Sequence, residues 1–347
     1  MFASHWSAPL QGSGHPPRLT LVTPVWNKAG YIGRMIASVR AQTFTDWELI
    51  IIDDGSSDGS LLEVERAAGG DGRIRWYSQA NAGVCAARNN GYSYATPGTE
   101  FVQFPDSDDM LEPTMLAELI AALDANPRAV LAYCKYQAVG PDDEDLPTNH
   151  PMRKVRVGPF VRRQPDSEPF TKLESILAWA PVSEAISLMR RSAFDRSPRW
   201  DIRLGQHGEG VVLFADFALR GDIIYVNRPL YKYRQYIGQN TSNLEVIARQ
   251  ETRVVLRLLR WQGSQSHMTS MKRAIVFAEG MVRGIRGIEK GRELLCNGKV
   301  VSGTKLIISG LSLWALAVCV PSILLMKVRL KCQDHLRAIG DDWRADS

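Results

Sequence analysis

Three carboxylates close one short apolar run. In Phe101-Val-Gln-Phe-Pro-Asp-Ser-Asp-Asp109, the residues Asp106, Asp108 and Asp109 stand at what reads as the carboxyl end of a strand. Carboxylates this close repel one another and stay ionised only if cations or hydrogen-bond donors share the site. A hard divalent ion meets that need, and Mg²⁺ characteristically takes one or two protein carboxylates plus substrate phosphates. Taken alone, Asp-Ser-Asp-Asp also serves as a polar turn capping the helix that begins near Pro113. Two further polar clusters upstream argue against that reading: Thr23-Pro-Val-Trp-Asn27 and Asp53-Asp54-Gly55 also follow apolar runs.

The elements that must position these clusters alternate along the chain. Residues 18–24 form a β-rich run closed by Pro24, residues 47–52 a continuous apolar strand, and residues 73–77 a third strand. Between them, residues 31–41 carry Ile32, Met35, Ile36 and Val39 at helical spacing, and residues 60–68 form a second helix. Residues 83–95 read as a helix before the strand that ends at Asp106, followed by a helix over 113–123 and a strand over 129–133. This alternation predicts an α/β fold with βαβ units and a mostly parallel sheet flanked by helices. Ligands bind such sheets outside the carboxyl ends of the strands, so the three polar clusters are expected on one rim. Neither a GxGxxG dinucleotide fingerprint nor a GxxxxGK[ST] phosphate loop is present.

Composition sets the class. The 347 residues are 45% hydrophobic and 23% charged, a globular balance, with a net charge of +5. The positive excess accumulates after Arg249 without an aromatic-interleaved basic stripe, which points to anionic lipid or phosphorylated ligands and away from nucleic acid. Cys85, Cys134, Cys296, Cys319 and Cys332 lack metal-ligand spacing and read as free thiols in a reducing compartment. Residues 1–17 read as a flexible tail without the charged and apolar regions of a signal peptide.

The composition changes beyond Asn243. Residues 245–261 and 271–295 read as amphipathic helices rich in Arg and Leu. The uncharged apolar run 306–326 is bracketed by Lys305, Lys327, Arg329 and Lys331. A membrane span needs about 20 such residues. The basic flanks suit interfacial anchoring, while Pro321 and the preceding helices suit a hairpin or interfacial helix, and a buried soluble helix pair stays open. The expected organisation is a tail 1–17, a domain 18–240 and a helical, membrane-associated region 241–347.

Four stretches in order carry a resemblance: Thr-Pro-Val-Trp-Asn-Lys, Ile-Ile-Ile-Asp-Asp-Gly-Ser-Ser-Asp, Asn81-Ala-Gly-Val-Cys-Ala-Ala-Arg-Asn-Asn-Gly91 and Phe-Pro-Asp-Ser-Asp-Asp. Together they resemble the successive motifs of family 2 glycosyltransferases with the GT-A fold, a Rossmann-like sheet, over residues 18–235. The resemblance implies inverting transfer of a sugar from a nucleotide-sugar donor, usually UDP-linked, with Mn²⁺ or Mg²⁺. Pro24 and Trp26 match positions flanking the nucleobase, although Trp26 reads equally as a core aromatic. Asp54 matches the acid that accepts a hydrogen bond from the base's imide N–H, with Asp53 structural. Arg88 matches an arginine near the donor diphosphate. By the same resemblance Asp106 and Ser107 fall among the nucleotide-sugar-binding residues, Asp108 is the metal-ligand candidate, and Asp109 orients the loop or caps the following helix.

Residues 179–194 resemble the acceptor-side segment of the family. In Gly208-Glu-Gly-Val-Val-Leu-Phe-Ala-Asp216 the family's Glu-Asp becomes Glu209-Gly210, so its catalytic Asp is missing, and Glu209 is the nearest carboxylate in sequence. A helix start would favour the ionised form that a base requires. Asp216 falls further along the helix, away from the rim, whereas Lys232 and Arg234 are candidates to reach the diphosphate. The implied partners are a nucleotide-sugar, a glycan or glycolipid acceptor and the cytoplasmic face of the cell membrane, in cell-surface polysaccharide or glycolipid assembly. Gly210 also motivates a non-catalytic nucleotide-sugar-binding scaffold. An aspartyl phosphotransferase is disfavoured because Asp109-Met110 follow where Thr or Val is wanted.

Overall fold

The computed structural model describes residues 15–147, 183–203 and 209–236. The chain divides into two units, Met1–Gln239 and Asn240–Ser347, and every described residue belongs to the first. Most of the expected tail, the amphipathic helices after Asn243 and the apolar run 306–326 lie outside the described residues. Among the described residues, no helix is long and apolar enough to cross a membrane.

The chain runs β1 (Leu19–Val25), α1 (Ala29–Arg40), β2 (Trp47–Asp53), α2 (Ser60–Ala68), β3 (Ile74–Ser78), α3 (Val84–Ser93), β4 (Phe101–Gln103), β5 (Met110–Leu111), α4 (Met115–Asp124) and β6 (Ala129–Val139). After residues 148–182 it continues with β7 (Ser187–Arg190), α5 (Arg191–Asp195), α6 (Val211–Arg220) and β8 (Asp222–Arg234). The periodicities explain the first half. Ile32, Met35, Ile36 and Val39 are all buried on one face of α1. Every residue of β1 and β2 is buried, as a parallel sheet covered on both faces requires. Gly69 ends α2 with a φ of 55°, a left-handed closure that favours glycine.

The strands form one sheet in the order β3-β2-β1-β4-β7-β6-β8-β5. The sheet is mixed where a mostly parallel one was expected. The β3-β2-β1-β4 half and the β6–β8 pair are parallel, but β7 enters antiparallel to both β4 and β6, and β5 is antiparallel to β8. β7 arises within residues 179–194, the segment that resembles the family's acceptor side. Its direction is set by long-range pairing, which local periodicity does not encode. Two strand lengths also differ: β4 stops at Gln103, just before the Phe104-Pro105 turn, and β6 runs on to Val139 along β8.

α3 lies against β1 and β2. The contact is close because Gly91 has no side chain: an added Cβ would run into Val22 Cγ1 and come within 2.9 Å of Ile52 Cγ1. Beneath α3, the fully buried Glu48 accepts hydrogen bonds from Thr20 Oγ1 (2.7 Å) and Thr96 N (2.7 Å) and pairs with Arg75 (2.5 Å). These contacts fix the helix that carries Arg88.

Candidate active site

Strand register builds the rim. Val25 stands opposite Asp53, and Asp53 opposite Ser78, so β1, β2 and β3 end level with one another. β4 runs parallel to β1, and the chain leaving it carries Asp106 to Asp109 towards the same side. Pro24 is buried opposite Ile52. β4 no longer pairs with β1 beyond Leu21, so the missing N–H disrupts no ladder on that side. Trp26, just past the strand, is 43% exposed, which excludes the core-aromatic reading.

Asp53 and Asp54 are both buried and hold the rim together. Asp53 accepts from Ser56 N (3.3 Å) and Ser78 Oγ (3.4 Å). Asp54 Oδ1 accepts from Gln79 Nε2 (2.8 Å) and Ala82 N (2.8 Å), and Oδ2 from Gly83 N (2.9 Å). Gly55 follows with a φ of 74° and a hypothetical Cβ only 3.0 Å from Asn81 N, so the turn is closed against the same loop. Asp54 therefore anchors residues 79–83.

Around the second acidic cluster, each aspartate is held differently. Asp109 is buried, and its Oδ1 accepts from Arg234 N (2.8 Å), which fixes the loop as expected. Ser107 is also buried. Asp106 Oδ1 pairs with Arg88 Nη2 (2.9 Å), and its own N–H donates to Tyr231 Oη (3.3 Å). Asp108 Oδ2 accepts from Tyr236 Oη (2.7 Å) and pairs with Lys28 Nζ (3.0 Å). Among the described residues, Asp106 Oδ2 and Asp108 Oδ1 have no hydrogen-bond partner, and no group of three or more His, Cys, Asp or Glu side chains could hold a metal. Carboxylate oxygens are the donor type that a divalent ion takes beside substrate phosphate.

Lys232 and Arg234 of β8 are both engaged within the fold. Arg234 is wholly buried. It donates to Asp108 O (2.8 Å), Gly140 O (3.1 Å) and Pro141 O (2.8 Å) and pairs with Asp143. Lys232 pairs with Glu112 (3.1 Å). Lys232, opposite Met110 of β5, and Arg234, opposite Val139 of β6, are thus both committed to structure.

Arg88 departs most from expectation. It is 1% exposed, with Nη1 donating to Glu209 Oε1 (3.0 Å) and Nη2 to both Asp106 Oδ1 and Glu184 Oε1 (2.9 Å each). The guanidinium also lies over the Trp200 ring, 4.9 Å from its centroid. A side chain so committed is the keystone of an acidic network, not an open phosphate clamp. Burial opposes its charge, but Glu184, Asp106 and Glu209 outweigh that and hold its pKa above the ordinary arginine value. Burial likewise pushes the Asp106 and Glu209 carboxyls up, and the Arg88 charge only partly counters it. The helix dipole expected to keep Glu209 ionised is thus outweighed by desolvation. Asp216 pairs with Arg220 within α6, away from the rim.

Gly210 caps α6, and a Cβ there would lie 2.6 Å from Phe214 Cε2. The ring fills the place where the family's aspartate would begin. Lys28, Tyr236 and Glu184 escaped the sequence reading. Lys28 follows Asn27 directly and Tyr236 lies just past a Tyr-rich strand, but neither position reveals its partner. Glu184 carries no local signal.

The family model described as "Glycosyl transferase family 2" matches residues 20–197. Among curated relatives, "Glycosyltransferase GlyA" of Streptococcus pneumoniae is 27% identical over 218 residues, covering 62% of this chain but only 30% of the relative. Among solved structures, S. aureus TarS 1–349 in complex with UDP-GlcNAc aligns with a TM-score of 0.55 at 16% identity, over 85% of this chain and 91% of that one. The mannosyltransferase PcManGT from Pyrobaculum calidifontis, in complex with GDP-Man and Mn²⁺, aligns with a TM-score of 0.53 at 16% identity, over 88% and 87%. Both are similar in fold, a GT-A-like mixed sheet with flanking helices.

Proposed function

The chain belongs to glycosyl transferase family 2, and from that membership we propose that it moves a sugar from a UDP-linked donor, or a similar nucleotide-sugar, to an acceptor hydroxyl with inversion. The acceptor is a glycan or glycolipid in cell-surface polysaccharide or glycolipid assembly. The observation that carries this reading is the single rim bearing exposed Trp26, the Asp54-anchored loop and the Asp106–Asp108 pair. Neighbours of the same fold bind UDP-GlcNAc and GDP-Man, the latter with Mn²⁺. Phosphotransfer finds no support in the family match.

Each residue takes a role from its chemistry. Trp26, beside Pro24, offers an aromatic face to the flat base. Asp54 accepts the imide N–H with a remaining lone pair while fixing the loop. Asp108, with Asp106 and Ser107 beside it, is where Mn²⁺ or Mg²⁺ would be held; when bound, the ion neutralises the departing diphosphate. Glu209 accepts the proton of the acceptor hydroxyl as that oxygen attacks the anomeric carbon. Its raised pKa suits a base working near neutrality, and Arg88 holds it in place. The apolar run 306–326 and its basic flanks dock the protein on the cytoplasmic face of the membrane.

The test is release of UDP from a panel of UDP-sugars, with and without Mn²⁺, in wild type and Glu209→Gln. Transfer is expected to fall by a factor of about 10²–10⁴ in the variant while UDP still binds. Wild-type rates in the variant overturn Glu209 as the base. Gly210 favours one second reading, a nucleotide-sugar-binding scaffold, and an inactive wild type that binds UDP supports it.

A further inference from the structure

Lys28 and Asp108 meet at the rim from different elements. Lys28 precedes α1 at the end of β1, and Asp108 follows β4. Their side chains are 18% and 15% exposed, and Nζ lies 3.0 Å from Oδ2. Tyr236, just past β8, covers the pair. Its ring stacks on Tyr31 (4.9 Å between centroids), its hydroxyl donates to Asp108 Oδ2 (2.7 Å), and Lys28 Nζ donates to the same hydroxyl. Two backbone N–H groups at the start of α1 are already satisfied, because Lys28 N donates to Ser60 Oγ (2.7 Å) and Ala29 N to Asp58 Oδ2 (3.0 Å). The side chain, not the helix terminus, is therefore the group left to interact with an anion.

The other cations near this rim are committed. Arg88 serves three carboxylates, Arg234 is wholly buried, and Lys232 pairs with Glu112. A diphosphate brings negative charge to a rim that already holds Asp106 and Asp108, so it needs a cation able to move. A lysine on a flexible four-carbon stem can move, whereas a buried guanidinium fork cannot. A divalent ion on Asp108 Oδ1 and an ammonium on Oδ2 repel each other across one carboxylate.

We infer that Lys28 is the donor-diphosphate cation of this site, held on Asp108 until the nucleotide arrives, and that it competes with the divalent ion for that carboxylate. The inference rests on the nucleotide-sugar reading above. On donor binding the ammonium leaves Asp108 Oδ2 for the diphosphate, and the carboxylate then offers its undivided charge to the ion. Metal and nucleotide consequently assist each other's binding, since each relieves the contact that opposes the other.

Two affinities of the full-length protein test this without reading turnover: Mn²⁺ alone by electron paramagnetic resonance, and UDP by calorimetry at saturating Mg²⁺. Lys28→Met is expected to bind Mn²⁺ about tenfold more tightly and UDP about tenfold more weakly than wild type, the scale of one charge-assisted hydrogen bond. Lys28→Arg keeps the charge and is expected to hold UDP affinity near wild type. Unchanged Mn²⁺ affinity in Lys28→Met overturns the competition, and unchanged UDP affinity overturns the diphosphate role. A wild type that binds neither UDP nor GDP sinks the donor reading and this inference together. Wild-type binding with an indifferent Lys28→Met sinks the inference alone.

Discussion

Arg88 shows how one charge organises several. Asp106, Glu184 and Glu209 share a single buried guanidinium, so each is poised by the others. Glu209 has a folded pKa above its ordinary value of 4.5, chiefly because burial disfavours the charge. A raised carboxyl pKa contributes stability that is complete below the unfolded value and is lost as pH climbs through the folded one. Glu209→Gln removes that titration. Its stability relative to wild type is therefore expected to improve as pH rises from 5 to 8, by about 1 kcal/mol or more, in urea melts at each pH. A difference that stays flat or falls with pH would contradict the buried-acid account. Asp108→Asn tests the other carboxylate. Its pair with Lys28 is partly exposed, so the fold should lose no more than about 1 kcal/mol while metal-dependent donor turnover collapses. Normal turnover in Mn²⁺ would remove Asp108 from the ion.

At the scale of elements, α3 and α6 deliver the network, and each does so through a glycine. Gly91 lets α3 lie directly on Val22 and Ile52. Gly91→Ala is expected to cost about 1–3 kcal/mol by overpacking and to reduce activity by displacing Arg88 three residues earlier. A chemical-denaturation midpoint equal to wild type would show that the layer is looser than described. Gly210 sits in ordinary helical geometry, so its size and not its backbone freedom matters there. Gly210→Asp is accordingly expected to disturb Phe214 and not simply restore the family's usual base.

For the whole molecule, we propose that the first unit carries the donor site and that the second brings it to the membrane. Full-length protein is expected to sediment with anionic liposomes, while a fragment ending at Gln239 stays in the supernatant and still binds UDP. Full-length protein that ignores such liposomes would make the apolar run 306–326 core instead of anchor.

The sequence by itself determined most elements of the first half and the order of the motifs. Helical spacing in α1, unbroken apolar strands in β1 and β2, and polar residues at strand ends are local patterns, readable within a few residues. It also placed Asp53, Asp54 and Asp106 to Asp109 on one edge, because parallel strands joined by helices all end on the same side. Only the tertiary structure decided the partners. Arg88 meets Asp106, Glu184 and Glu209 from 18, 96 and 121 residues away, and Tyr236 meets Asp108 across 128. No periodicity links such positions. They are brought together by the insertion of β7 beside β4 and by the pairing of β8 with β6 and β5, and burial then sets which charges stay open and which are held.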